Sequence, residues 1–375
     1  MTKVFIHGAS LSPFGKFQGN SLQLSTQTAK ESVNEFGKDK IEFLIFASFS
    51  PDRYTNEFHL PTKIAQNLGI SHAFCIRSET ASSAGASAFQ LGVNLILSGR
   101  FKHGLVIATE IMSQLNREEN NLLLGSVLSE HQRSLGMSMA QGGAMFTRRY
   151  LDMYGYKEID LYSLSKKLHD NGLKNPVAQI KKNLSFDDYS KQTKISSPLG
   201  LFDISPLSDG SASVILSINK SNVSVKGMGH GTGKFLPSGD PSFQASTIAF
   251  ERAFTEAKLS SKEIHFAELH DAFTPFELIG AEDAGLFPRG EALRRVISGV
   301  THPEGDLPIN VSGGLKSRGH PVGASGLAQI VEICRFFPKK DRQTFALAHS
   351  IGGLATNNFA TILERRKNKL ADEKV

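Results

Sequence analysis

Residues 79–89 read ETASSAGASAF and residues 319–329 read GHPVGASGLAQ, so Gly85-Ala86-Ser87 returns as Gly323-Ala324-Ser325. The register sets Ser82 opposite His320, each three residues ahead of its glycine. A serine hydroxyl beside an imidazole is a nucleophile with a base. Small residues let two helices approach closely, and helix N-termini carry unsatisfied N–H groups and a positive dipole end. Two such starts pointing into one cleft would favour a developing oxyanion, assist a hydroxyl, or depress a thiol. Packing alone also explains small residues, and Ser82 or Ser83 would serve as an ordinary N-cap. What tips the reading toward chemistry is His320, fixed just ahead of a helix by Pro321 and Gly323.

Helices that start at Ser82 and after His320 need strands to aim them, and the surrounding pattern alternates between the two. KVFIHGA, IEFLIFASF, HAFCIRSE and HGLVIATE have strand character, separated by the helical stretches SLQLSTQTAKESVNEF, EFHLPTKIAQNLG and SSAGASAFQLGVNLILSG. In the last of these Ala86, Phe89, Val93 and Ile96 mark one buried face. From about residue 111 to 206 a long polar stretch interrupts the rhythm and reads as an insertion that caps a site. It ends at SPLSDGSASVILSI, where Asp209-Gly210 predicts a turn feeding an alternating strand. After Asn219 the pattern restarts with VSVKGMGHG, SFQASTIAFERAFTEAK, IHFAEL, a helix from Phe273, the helix after His320, and the strands TFALAHS and NNFATILE. Each half is expected to run strand, helix, strand, helix, strand, helix, strand, strand, with halves at 1–219 and 220–375.

The longer motifs resemble the thiolase superfamily, and within it the sterol-carrier-protein type and the archaeal acetyl-CoA acetyltransferase type. NVSGGLKSRGHPVGASGLAQ (310–329) resembles the histidine motif, and ELHDAFTPFE (268–277) the His-Asp-x-Phe form of the Asn-Glu-Ala-Phe motif. SPLSDGSASVIL resembles the close of the loop domain, and AHSIGGLATNNFATIL the C-terminal glycine motif. The resemblance covers essentially the whole chain. It implies an α/β fold of the thiolase type, a duplicated five-layered αβαβα with a loop-domain insertion in the first half. It also implies a homodimer or dimer of dimers, and coenzyme A thioesters as substrates, with no resident cofactor or metal.

Thiolases carry the acyl group on a cysteine at the position that matches Ser82. A second cysteine, at the place of Ser350 or of Ala272, acts as acid and base. Both are replaced here. Cys75 in a strand and Cys334 in a helix read as small buried residues. A serine hydroxyl is less acidic than a thiol and needs an adjacent base, which His320 would supply. By the resemblance, His320 and His270 polarise one thioester carbonyl, and the backbone N–H groups of Ser82 and Gly352 hold a second oxyanion. His349 reads as structural, and Asn310 as a turn-former.

Three functions fit: an acyltransferase working through Ser82 and His320 or by direct transfer, an aldolase that cleaves a β-hydroxyacyl-CoA, and a non-catalytic acyl-CoA-binding or scaffold subunit. Relatives of the first two kinds often work with a small OB-fold, zinc-ribbon partner. The 375 residues suffice for a well-buried core, with 40% hydrophobic and 21% charged residues. Two cysteines make no disulfide framework or metal cluster, and the opening residues read as a strand, so the expected compartment is cytoplasmic. No apolar run is long enough for a membrane. The net charge of +6 is scattered apart from RRKNK at 365–369, which argues against a nucleic-acid partner and is compatible with an anionic small molecule.

Overall fold

The computed structural model describes residues 3–235, 239–337 and 343–366. The basic run at 365–369 lies beyond the described residues from position 367 onward. The first half forms strands β1 (Phe5–Leu11), β2 (Phe43–Ala47), β3 (Phe74–Ser78) and β4 (His103–Ile111) with helices α1 (Ser21–Phe36), α2 (Pro51–Tyr54), α3 (Leu60–Leu68) and α4 (Ala84–Leu97). The insertion holds α5 (Arg117–Gly125), α6 (Glu130–Ser134), α7 (Met139–Tyr154), α8 (Tyr162–Lys174) and α9 (Phe186–Ser190). A two-stranded ribbon, β5 (Lys194–Ser196) and β6 (Leu199–Gly200), follows them. Then come β7 (Asp209–Ser217), β8 (Val223–Thr232), α10 (Gln244–Ala257), β9 (Phe266–Glu268), α11 (Pro275–Asp283), α12 (Ala292–Ile297), α13 (Gly314–Arg318), α14 (Ser325–Phe336), β10 (Thr344–Gly352) and β11 (Asn357–Arg365).

Nine strands hydrogen-bond in the order β3-β2-β4-β7-β1-β8-β11-β10-β9. The two halves of this sheet are joined at one pair, Phe5 with Ser224, and outward from that seam the second half follows the order of the first as far as β9, one strand short. Period-two alternation sends Phe43 and Ile45 to one face of β2 and Leu44 and Phe46 to the other, and both faces are covered. α1 and α3 pack on one outer face. α4 and α14 fill the space between the two sheet halves, against Val214 and Leu216 on one side and Ala346 and Ala348 on the other. α10 and α11 cover the remaining outer face with α7 and α8 of the insertion. The layers therefore run αβαβα.

Two sequence expectations are corrected. Asp209-Gly210 is no turn but the first pair of β7, all nine residues of which are buried. The Asp209 carboxylate accepts from Phe17 N–H, Ser113 N–H and Ser113 O–H, so long-range partners hold an Asp-Gly pair extended. Among the described residues the second half also lacks the expected third strand. Its counterpart is reduced to one parallel bridge, Ala267 with Ile309, because Asn310 turns to φ +54° and ends the extension.

Candidate active site

α4 and α14 cross where the sequence repeats. A side-chain carbon on Gly85 would lie 2.7 Å from the Leu327 amide nitrogen, and one on Gly326 would lie 2.7 Å from that of Ala86. Only residues without a Cβ let two backbones come this near. Just ahead of α4 the chain takes a left-handed step at Ala81, φ +52°, which presents Ser82. Thr80 O accepts from Ser83 N–H, and Ala81 O accepts from Ala84 N–H. Ser83, not Ser82, is the fixed serine: its hydroxyl contacts Thr80 O at 2.7 Å and Asn357 O at 3.0 Å. Ser82 is half-buried, and its hydroxyl has no hydrogen-bond partner among the described residues. Gly352 closes over this turn, where a side-chain carbon would lie 2.7 Å from both Thr80 O and Asn357 O.

Before α14 the same approach ends differently. Gly323 N–H donates to the Glu110 carboxylate at 2.9 Å, while Ala324 and Ser325 N–H donate to Pro321 O. These amides are thereby consumed, which corrects the expectation that both helix starts offer free donors. What this side contributes is the imidazole. His320 Nδ1 lies 2.7 Å from Ser325 Oγ, and that hydroxyl donates to Pro321 O, so Nδ1 carries the proton and Nε2 presents a lone pair. Among the described residues Nε2 has no hydrogen-bond partner. Burial, and secondarily the Arg318 guanidinium, push this imidazole down to about 3.

His270 meets it edge to face, with ring centroids 5.3 Å apart at 88°. It follows β9 by two residues and is 2% exposed; burial, then the fields of His320 and His349, holds it well below the usual histidine range. Its Nδ1 is buried without a partner. A buried lone pair is tolerated better than a buried N–H, so the proton belongs on Nε2. The pair is then one acceptor and one donor, both neutral, and such a pair can take a proton and polarise a carbonyl.

Of the other expected positions, Ser350 lies on the face of β10 turned to α14, its hydroxyl buried and unpartnered beneath Gly326. Gly352 N–H donates to Asn358 Oδ1 at 3.3 Å. Ala272 gives its carbonyl to Ser205 N–H. His349 points to the opposite face of β10, where Nε2 contacts Ser246 Oγ at 2.9 Å and the ring packs on Phe250.

The sequence profile described as "Thiolase C-terminal domain-like" matches residues 227–365. "Non-specific lipid-transfer protein-like 2" of Caenorhabditis elegans is 31% identical over 318 residues, covering 76% of this chain and 77% of that protein. The chain belongs to the thiolase superfamily. An "Acetyl-CoA acetyltransferase" of Methanothermobacter thermautotrophicus is 28% identical over 347 residues, with 89% and 90% covered. The solved structure of the "Ltp2-ChsH2(DUF35) aldolase" shares the fold, with a TM-score of 0.82 at 21% identity over 98% of this chain and 99% of that one.

In this thiolase-type chain the two cysteines stand away from the paired histidines. Cys334 is in the third turn of α14, about 14 Å along the axis from Ser325 at 1.5 Å per residue, and burial pushes its thiol up to about 12. Cys75 lies on β3 and contacts Ala73 O.

Several residues of the site carry no sequence signal. Glu110, next to last in β4, receives Ser48 O–H, Phe49 N–H, Ser50 N–H and Gly323 N–H, pinning the histidine turn to the loop after β2. Arg318, two residues before His320, is fully buried, and none of its three side-chain nitrogens has a hydrogen-bond partner. Its charge acts on Glu268 and Asp271, which burial nevertheless raises to about 8 and about 7. The one available hint is position, since Arg318 and Ser325 flank the histidine inside its motif.

Proposed function

We propose that the protein is an acyltransferase of the thiolase type that acts on acyl-CoA thioesters, with Ser82 in place of the acyl-carrying cysteine. The observation that carries this reading is the pair of neutral imidazoles 5.3 Å apart, one presenting a lone pair and the other an N–H, beside the helix start that presents Ser82. In the proposed reaction His270 Nε2–H polarises the thioester carbonyl while His320 Nε2 takes the Ser82 hydroxyl proton. The serine oxygen then attacks, and the coenzyme A thiolate leaves with the proton that His320 returns, so that an oxygen ester remains on Ser82. His320 Nε2 then takes a proton from the second substrate's carbon, that carbon attacks the ester carbonyl, and the bond to Ser82 Oγ breaks with the proton returned to the serine oxygen, which completes the transfer. Ser350 adds no acid of its own, and the Gly352 N–H must release Asn358 to serve as an oxyanion donor.

Intact-mass spectrometry after incubation with acetyl-CoA and with a longer acyl-CoA tests the covalent step. An added acyl mass that is absent from Ser82→Ala is expected, and no adduct at any chain length rejects the serine route. A second reading, retro-aldol cleavage of a β-hydroxyacyl-CoA, is favoured by the absence of any hydrogen bond between Ser82 and an imidazole. Aldol cleavage needs the polarised carbonyl and the base but no acyl-enzyme. There, thioester product forms from a β-hydroxyacyl-CoA and persists in Ser82→Ala. A scaffold role would leave both Ser82→Ala and His320→Ala without effect on an assembled complex.

The proposal includes a homodimer. β3 is one of the two end strands of the sheet, with Phe74 45% and Ile76 37% exposed. A cytoplasmic setting accords with two free cysteines, and no helix among the described residues is long and apolar enough to cross a membrane. A small OB-fold, zinc-ribbon partner is carried over from the family resemblance alone.

A further inference from the structure

The insertion reaches the paired histidines through buried polar contacts. Lys167, on α8, has a fully buried side chain that forms an ion pair with Glu277 of α11 and donates to Ile309 O at 3.1 Å. The second oxygen of Glu277 accepts from Asn310 Nδ2 at 2.8 Å. Asn310 passes the constraint on, because its Oδ1 accepts from Leu269 N–H at 2.7 Å and its own N–H donates to Ala267 O. Asn171, one turn further along α8, donates from Nδ2 to Asn310 O at 2.9 Å. Asn310 sits at φ +54°, a conformation a side-chain-bearing residue keeps only when its surroundings fix it. Leu269 is the residue before His270. On the far side of that histidine, Asp271 accepts from Leu315 and Lys316 N–H, so His270 lies between two clamps.

We infer that Lys167 and Asn171 of the insertion are positioning residues for His270, acting through Glu277 and Asn310. The inference rests on the reading of His270 as the carbonyl-polarising group. A cap that only covered a ligand would need no buried cation tied to the segment before that histidine. Burying the pair is costly, and removing one partner leaves an uncompensated charge, whereas neutralising both removes the penalty. Lys167→Met should therefore strand the Glu277 carboxylate and loosen residues 267–273. Adding Glu277→Gln should restore order, since the amide oxygen can still accept from Asn310.

The test is hydrogen-exchange mass spectrometry on the full chain, with thermal unfolding alongside. In Lys167→Met, and more mildly in Asn171→Ala, exchange of 267–273 should rise about tenfold above any change elsewhere in the sheet, and in the double variant return to within about threefold. With a thioester substrate, kcat should fall about tenfold in Lys167→Met with KM within about twofold, the mark of a displaced transition-state group. Exchange in 267–273 that is unchanged, or raised no more than in the rest of the chain, overturns the inference. A wild-type protein inert toward every thioester rejects the proposed function, and the exchange data still decide whether α8 holds the segment.

Discussion

An imidazole that accepts a proton must keep one lone pair free. Position 320 meets this by spending Nδ1–H on Ser325 Oγ, whose own proton goes to Pro321 O. With burial holding His320 near 3, the base form is already complete across the neutral range. His320 is thus expected to contribute no acid limb near pH 6.5, where an ordinary histidine would be half protonated. A limb centred there in a pH–rate profile from 5 to 8, and retained in Asp271→Asn, which removes the carboxylate raised to about 7, would show that His320 is hydrated and titrates normally. Ser325→Ala removes the acceptor that selects the tautomer. Expected is a fall in kcat of about tenfold with KM little changed, a fraction of the roughly 10²–10⁴-fold that a general base supplies, because the imidazole itself remains. His320 and Ser82 were legible from their register in the repeat, because their types announce chemistry. Lys167 was not, since SKKLHDN reads as a solvated helix face and only the tertiary fold encloses it.

Most elements were legible because strand and helix periods differ and the chain keeps each period cleanly. α1 occupies the whole stretch assigned to it, from Ser21 to Phe36. The failures came where tertiary contacts override local signals, at Asp209 with its three long-range donors and at Asn310 with its positive φ. The repeat itself proved to be about approach: glycine is required on both helices because each faces backbone. Gly326→Ala should therefore destabilise the fold by about 1–3 kcal/mol, since an added carbon meets Ala86 N at 2.7 Å and the Ser350 hydroxyl at 2.8 Å, neither of which can give way easily. Gly125→Ala, at the end of α5 with nothing within 4 Å, should be neutral or stabilising by up to ~1 kcal/mol. Denaturant midpoints for the two variants test this, and equal shifts would mean that the crossing yields more than its geometry implies.

At the scale of the whole molecule, what a single chain leaves open is the outer edge of its sheet. β3 pairs with β2 on one side and, among the described residues, with no strand on the other, and Phe74 and Ile76 stand partly exposed on one of its faces. An uncovered apolar edge invites pairing, and a second copy related by a twofold axis would cover it with the same surface. Leu91 and Leu97 of α4, 36% and 43% exposed, extend the apolar area to the helix that follows. The wild-type protein is expected to sediment at twice its 40.8 kDa mass, and Ile76→Lys at the single mass. β3 ends at Ser78, four residues before Ser82, so the edge and the nucleophile position share one short connection. If the partner copy steadies that connection, Ile76→Lys should lose turnover in parallel with dimer, and both should recover on raising protein concentration. A monomeric wild type rejects the edge as an interface, and a fully active monomer separates the site from assembly.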